Sequence, residues 1–140
     1  MQRLLASSNR FALAISLLVL VSSCADVEKT AIHRVLDARD QAVSTQNISD
    51  YSALLFNNYQ DNRQGKIEVV ARMIALFSQF DATDMQSYDR NIRLIDETHA
   101  QCEQSYTLRV KAGGAWREIV QREQLYLTRT PVGWKISAGI

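Results

Sequence analysis

Only two cysteines, two histidines, five glycines and one proline occur in the 140 residues, and each scarcity closes off a class of function. The cysteines are Cys24 and Cys102. With Cys24 claimed by the N-terminal pattern described below, Cys102 has no partner for an internal disulfide, so the domain must be held together by its core. Cys102 lies in an alternating strand pattern and is expected to be core filler, since a buried free cysteine behaves as a small hydrophobe. His33 and His99 are far apart, with no cysteine or carboxylate at ligand spacing, so no metal centre is expected; each is read as a surface or capping residue. The glycines form no phosphate-cradling loop, and neither a nucleophile elbow nor a Walker pattern occurs, so no cofactor is expected. Charge of one sign is also missing, with sixteen basic residues against fifteen acidic. Balanced charge argues against a nucleic-acid partner, which would call for a basic excess. No repeat, charge block or low-complexity tract is present.

What the chain does have begins at its N-terminus. Arg3 and Arg10 are followed by FALAISLLVLV over residues 11–21, with no acidic residue before Asp26. A basic start and an apolar run of roughly 7–15 residues are the parts of a secretory signal peptide. A spanning helix needs about 20 apolar residues, so the run is too short to cross comfortably. Val21-Ser22-Ser23-Cys24 then resembles the lipobox of bacterial lipoproteins. That resemblance implies a signal peptide over residues 1–23, lipidation of Cys24 and a mature domain over residues 24–140. Ala25 stands where inner-membrane retention signals place aspartate, which implies the periplasmic face of the outer membrane. Loss of Arg3 and Arg10 leaves fourteen basic against fifteen acidic residues, still close to neutral. The remainder is enough for one domain.

The mature chain changes period partway along. Residues 27–46 place Val27, Ala31, Ile32, Val35, Leu36, Ala42 and Val43 on one helical face, with Arg34, Asp37, Arg39 and Asp40 mostly off it. A short second helix is expected within NISDYSALLF, capped by Ser49 or Asp50. The glycosylation-like sequon Asn47-Ile48-Ser49 is read as chance. YQDNRQG is a polar break, and residues 66–80 predict a third helix with Ile67, Val70, Ala71, Ile74 and Phe77 facing inward. After Asp84 the period becomes 2. Residues 88–95 alternate with both faces mixed, whereas Ala100, Cys102, Gln104, Tyr106, Leu108 and Val110 define one apolar face of a half-buried strand. Gly113-Gly114 predicts a hairpin turn, residues 115–129 a long strand, and TPVG a turn into WKISAGI. Helices followed by antiparallel strands give an α+β class.

This order, with YQDNRQGK, the third helix and REQLYLTRTPVGWKI, resembles the NTF2-like (SnoaL-like) superfamily across residues 27–140. The resemblance implies a cone: three N-terminal helices packed on a strongly curved antiparallel sheet that encloses one cavity. It also implies a short strand near residues 56–60, where the sequence signal is weak. The polar residues available to such a cavity are Tyr59, Asp61, Asp89, Tyr106, Arg122 and Glu123. Members of the superfamily include ketosteroid isomerase, but none of these six aligns with its catalytic positions, so no catalytic role is carried over. Arg122 and Glu123 are adjacent and should point to opposite faces of a regular strand. Trp116, Tyr126 and Trp134 are expected to pack against the third helix. The reading is of a lipid-anchored envelope domain without catalysis that binds a small apolar ligand or a protein partner, with a homodimer through an exposed sheet face in keeping with the resemblance. The alternative is an isomerase or hydrolase acting within the cone.

Overall fold

The first helix carries the fold's most exacting surface. The computed structural model describes the backbone of residues 9–140 and the side chains of residues 24–140. Arg3 and the side chains of the apolar run at 11–21 therefore lie outside the described residues. Helix α1 spans Asn9–Ser44. Ile32, Leu36, Ala42 and Val43 are buried on its inner side, and so is Arg39. That corrects the expectation that Arg39 lies off the apolar face: it sits four residues from both Val35 and Val43, within the stripe.

Helix α2, Ile48–Ala53, starts at Asn47, whose Oδ1 accepts the Asp50 N–H at 3.0 Å. The cap is thus Asn47 rather than Ser49 or Asp50. The polar break forms a miniature hairpin of β1, Gln60–Asp61, and β2, Gln64–Gly65. Asn62 and Arg63 both take positive φ in its turn, as a two-residue turn of this hand requires. Of the strand implied near residues 56–60 only Gln60 is in a strand, as the first residue of β1, and Leu55 just before the range makes a single parallel bridge to Ile136.

Helix α3, Lys66–Gln79, begins where the Gly65 N–H donates to Glu68 Oε2 at 2.9 Å. Its inward face is Val69, Val70, Met73 and Phe77, whereas Ile67 is 81% exposed and Ile74 48% exposed. The expected face was therefore partly wrong. The helix is apolar on two adjacent stripes, and only packing against the rest of the fold decides between them.

Strands β3, Ala82–Leu94, β4, His99–Ala112, β5, Ala115–Thr130, and β6, Gly133–Ala138, form an antiparallel meander in chain order. Its inner face presents Met85, Ile92, Cys102, Leu125, Leu127 and Ile136, all buried, to the helices. Fully burying each such side chain contributes about 1.5–3 kcal/mol. The mixed faces of residues 88–95 have a specific cause. The β3–β4 register shifts between Tyr88 and Asn91, and Asp89 adopts φ 53°. Before this bulge the inward residues are Thr83, Met85 and Ser87; after it, Arg90, Ile92 and Leu94. One extra residue moves the inward set from odd to even positions.

Trp134 is buried, but against α1: its Nε1 donates to Glu28 Oε2 at 2.6 Å, and Glu28 Oε1 meets Arg129 Nη1 at 2.9 Å. Trp116 and Tyr126 stand on the outer face and are exposed, which corrects the expectation that they pack on the third helix. Trp116 is instead flanked by Arg109, whose guanidinium lies 4.8 Å from the ring centroid.

Candidate functional site

A cavity of about 480 Å³ opens between α1, α3 and the inner face of the sheet. Val43, Met73, Leu76, Met85 and Leu108 give it apolar walls, and residues 139–140 close one side. The volume falls within the roughly 300–1,000 Å³ usual for small-molecule sites.

The cavity has a charged floor. Glu123 on β5 faces Arg39 on α1 in a forked pair: Arg39 Nη1 donates to Oε1 at 2.6 Å and Nη2 to Oε2 at 3.1 Å. The side chains are 6% and 10% exposed. Burial disfavours the guanidinium charge, but Glu123 outweighs it and holds the Arg39 pKa above its ordinary value. Glu123 Oε1 also accepts Gln104 Nε2 at 2.7 Å. Gln104 Oε1 in turn accepts Arg90 Nε at 2.8 Å, and Arg90 reaches the carboxylates of Asp37 and Asp40. Asp40 accepts both the N–H and the hydroxyl of Ser87, at 2.8 and 2.7 Å. Burial raises the Asp40 pKa, against the opposing pull of these Ser87 bonds. A polar chain thus runs from the cavity floor to solvent beside α1. Two buried atoms, Arg39 Nε and the Tyr51 hydroxyl, have no hydrogen-bond partner among the described residues.

Of the six residues the sequence nominated, three border the cavity: Tyr106, Arg122 and Glu123. Tyr106 donates to Gln121 Oε1 at 2.8 Å and lies under the Arg39 guanidinium, 5.9 Å from its ring centroid. Burial, and secondarily Glu123, pushes its pKa up. Arg122 borders only the rim; its side chain is 59% exposed and its guanidinium pairs with Glu103 at 3.4 Å. Tyr59 and Asp61 hold the C-terminal residues: Tyr59 Oη accepts the Ile140 N–H at 2.9 Å, and Asp61 Oδ2 the Gly139 N–H at 3.0 Å. Asp89 does not join them. The bulge turns it outward, where it is exposed, and brings Arg90 in instead. Missed from the sequence were Arg39, Arg72, Met73 and Met85; Gln104 was placed on the correct strand face but not recognised as part of the site.

His33 is exposed, and His99 closes the β3–β4 turn through Asp96 at 3.0 Å. Among the described residues no group of three His, Cys, Asp or Glu side chains is arranged to hold a metal ion, and no helix is long and apolar enough to cross a membrane.

No protein-family model matches the sequence, and no curated protein matches it. Solved structures do match. A provisionally named dehydratase of the NTF2-like family from Streptomyces avermitilis superposes with a TM-score of 0.73 at 12% identity, over 81% of this chain and 94% of its own. A provisionally named scytalone dehydratase from Novosphingobium aromaticivorans gives 0.72 at 15% identity, over 84% and 85%. An NTF2-like protein with a cystatin-like fold from the same organism gives 0.66 at 13% identity, over 96% and 89%. At these identities the likeness establishes the fold alone. The chain is an α+β domain with the NTF2-like fold, helices packed against a curved antiparallel sheet.

Proposed function

We propose that this chain is a lipid-anchored domain of the bacterial cell envelope, on the periplasmic face of the outer membrane, that binds a small, largely apolar ligand in its cone without transforming it. The observation that carries the non-catalytic reading is the state of Glu123. Both its oxygens are committed, to Arg39 and Gln104, so accepting a proton from a ligand requires breaking a buried ion pair. Separating such a pair is costly, about 3–5 kcal/mol when one partner is removed. The remaining walls offer shape and apolar surface.

The anchor fits the fold without a tether. Cys24 is exposed on α1, and Glu28, which fixes Trp134, is one helical turn further on. At 1.5 Å per residue Glu28 lies about 6 Å along the helix from Cys24, so a lipid there keeps the Trp134 end of the cone near its point of attachment. A second copy of the chain is the partner suited to the outer sheet face, where Tyr88, Trp116, Val120 and Tyr126 are exposed.

The test has two parts. Labelled fatty acid should enter the wild-type chain and not Cys24→Ala; equal labelling would remove the anchor. Gentle purification followed by native mass spectrometry should find a small molecule with the wild type. Met85→Trp, which fills the cavity, should release it, and retention by a folded Met85→Trp would place the ligand elsewhere.

A further inference from the structure

The side of α1 that starts at Cys24 does not turn into the core. Cys24, Val27, Ala31 and Arg34 follow one another at intervals of three and four residues, which places them on one stripe of the helix. Val27 is 64% exposed, and Cys24 and Arg34 are exposed as well. The turn between β5 and β6 comes up beside this stripe and carries Val132, 82% exposed, to the same face. Between stripe and turn runs a shallow groove of about 390 Å³, lined by Val35, Leu54 and Trp134. Its charges do not cancel. Glu28 is matched by Arg129 at 2.9 Å, whereas Arg34 and Lys135 pair with no Asp or Glu among the described residues. Lys135 Nζ donates only to Ala53 O, at 2.6 Å, and keeps its charge. The face therefore joins two protruding valines to two surplus positive charges.

We propose that this face is a membrane-contact surface: Val27 and Val132 enter the interfacial layer of a phospholipid bilayer, and Arg34 and Lys135 meet lipid phosphates. This rests on the reading of Cys24 as a lipid anchor. An acyl anchor fixes one point and leaves the domain free to turn about it, so a second contact is what gives it an orientation. Val27 is about 4.5 Å along the helix from Cys24, within reach of the surface wherever the anchor is inserted. Arg34 is about 15 Å along, so the contact requires α1 to lie against the bilayer rather than stand on end. A bilayer offers both chemistries in the right order, phosphates in a plane with hydrocarbon just beneath, and basic side chains with apolar neighbours suit that boundary. A second copy docked on the same face would bring Arg34 and Lys135 against their own counterparts, and like charges oppose that pairing.

Spin labels test it. The full chain, made in a bacterium that processes lipoproteins, is reconstituted into vesicles of phosphatidylethanolamine and phosphatidylglycerol, and mass spectrometry of the Cys24 peptide reads its acylation. A nitroxide is placed at Val132→Cys or, for reference, at Ala115→Cys. Ala115 is exposed at the other end of β5, about 50 Å away along extended strand. Acylated Cys24 has no thiol and Cys102 is buried, so each variant offers one reactive site. Access of oxygen, which concentrates in the bilayer, is compared with access of a water-soluble nickel chelate. The Val132 label should gain oxygen access and lose nickel access relative to the Ala115 label. Arg34→Gln with Lys135→Gln should lower the ratio of docked to free Val132 label by about thirtyfold, at roughly fivefold per charge near an anionic surface. Acylated Cys24 with a Val132 label as open to nickel as that at Ala115 overturns the contact surface and leaves the anchor standing. Cys24 without an acyl chain overturns the anchor reading, and the contact surface with it. Spin–spin broadening at Val132 that vanishes on dilution with unlabelled chain would show a second copy on this face and overturn the inference.

Discussion

Glu123→Ala should be among the most damaging single changes available outside the apolar core. The substitution removes the acceptor of both Arg39 Nη atoms and of Gln104 Nε2 at once. Arg39 cannot shed its charge, because a guanidinium stays protonated at any ordinary pH. It cannot swing into water either: its side chain is 6% exposed, fixed near the C-terminal end of α1 between the buried Leu36 and Val43. An uncompensated buried charge of this kind costs about 3–5 kcal/mol. For a domain near this size each kcal/mol moves Tm by about 4 °C, so a drop of about 12–20 °C is expected. Differential scanning calorimetry of wild type and variant measures it. The companion double variant, Arg39→Met with Glu123→Leu, removes both charges and fills similar volume. It should recover most of the loss, because exchanging a buried pair for apolar residues is often neutral or better. A Tm drop smaller than about 4 °C in Glu123→Ala would mean that water reaches the floor of the cone. That result would refute the buried-pair account and, with it, the argument that Glu123 is too committed to act as a base.

Trp134→Ala should cost about 3–5 kcal/mol, the usual range for truncating a buried tryptophan, and Lys135→Ala only about 1 kcal/mol, for the single bond from Lys135 Nζ to Ala53 O; comparable urea midpoints for the two variants would show that Trp134 is not part of the core. Burial pushes the Cys102 thiol from its ordinary 9.0 up to about 11, so at pH 8 the native thiolate is roughly a hundredfold scarcer than in the unfolded chain, and reaction with a thiol reagent should be slower by at least that factor and rise about tenfold per pH unit. Fast native labelling would instead mark Cys102 as a reactive site.

The sequence was most legible where one period ran unbroken and one side was wet. Strand β4 shows this: every even residue from Ala100 to Val110 points inward, as its alternation predicts. The turn at Gly113-Gly114 was legible for a different reason, since both residues sit at positive φ, where glycine meets no steric cost. Helix α3 was legible as a helix but not as a surface, because two apolar stripes compete there and local pattern cannot rank them. Trp134 was correctly placed in the core, yet its partner, Glu28, lies 106 residues away, a pairing that no local signal announces.

The cavity was hardest to read because its residues break the rules that make the rest readable. Arg39 falls in the apolar stripe of α1, where a charge counts as noise until Glu123 is seen opposite it. The bulge at Asp89 has no glycine to mark it, yet it decides which of two neighbouring charged residues enters the fold. Had the alternation of Thr83, Met85 and Ser87 continued, Asp89 would have pointed inward beside Glu123 and Asp40, and three carboxylates would have shared the floor. The register shift replaces that repulsion with Arg90, which joins Gln104 to Asp37 and Asp40. Buried polar chains of this kind are costly wherever a member is left unpaired, and here Arg39 Nε is the buried atom that lacks a partner among the described residues. One misplaced residue in β3 is thus what allows a charged floor beneath an apolar cavity, and Asp89→Gly, which suits the positive φ, should leave the fold and the cavity intact.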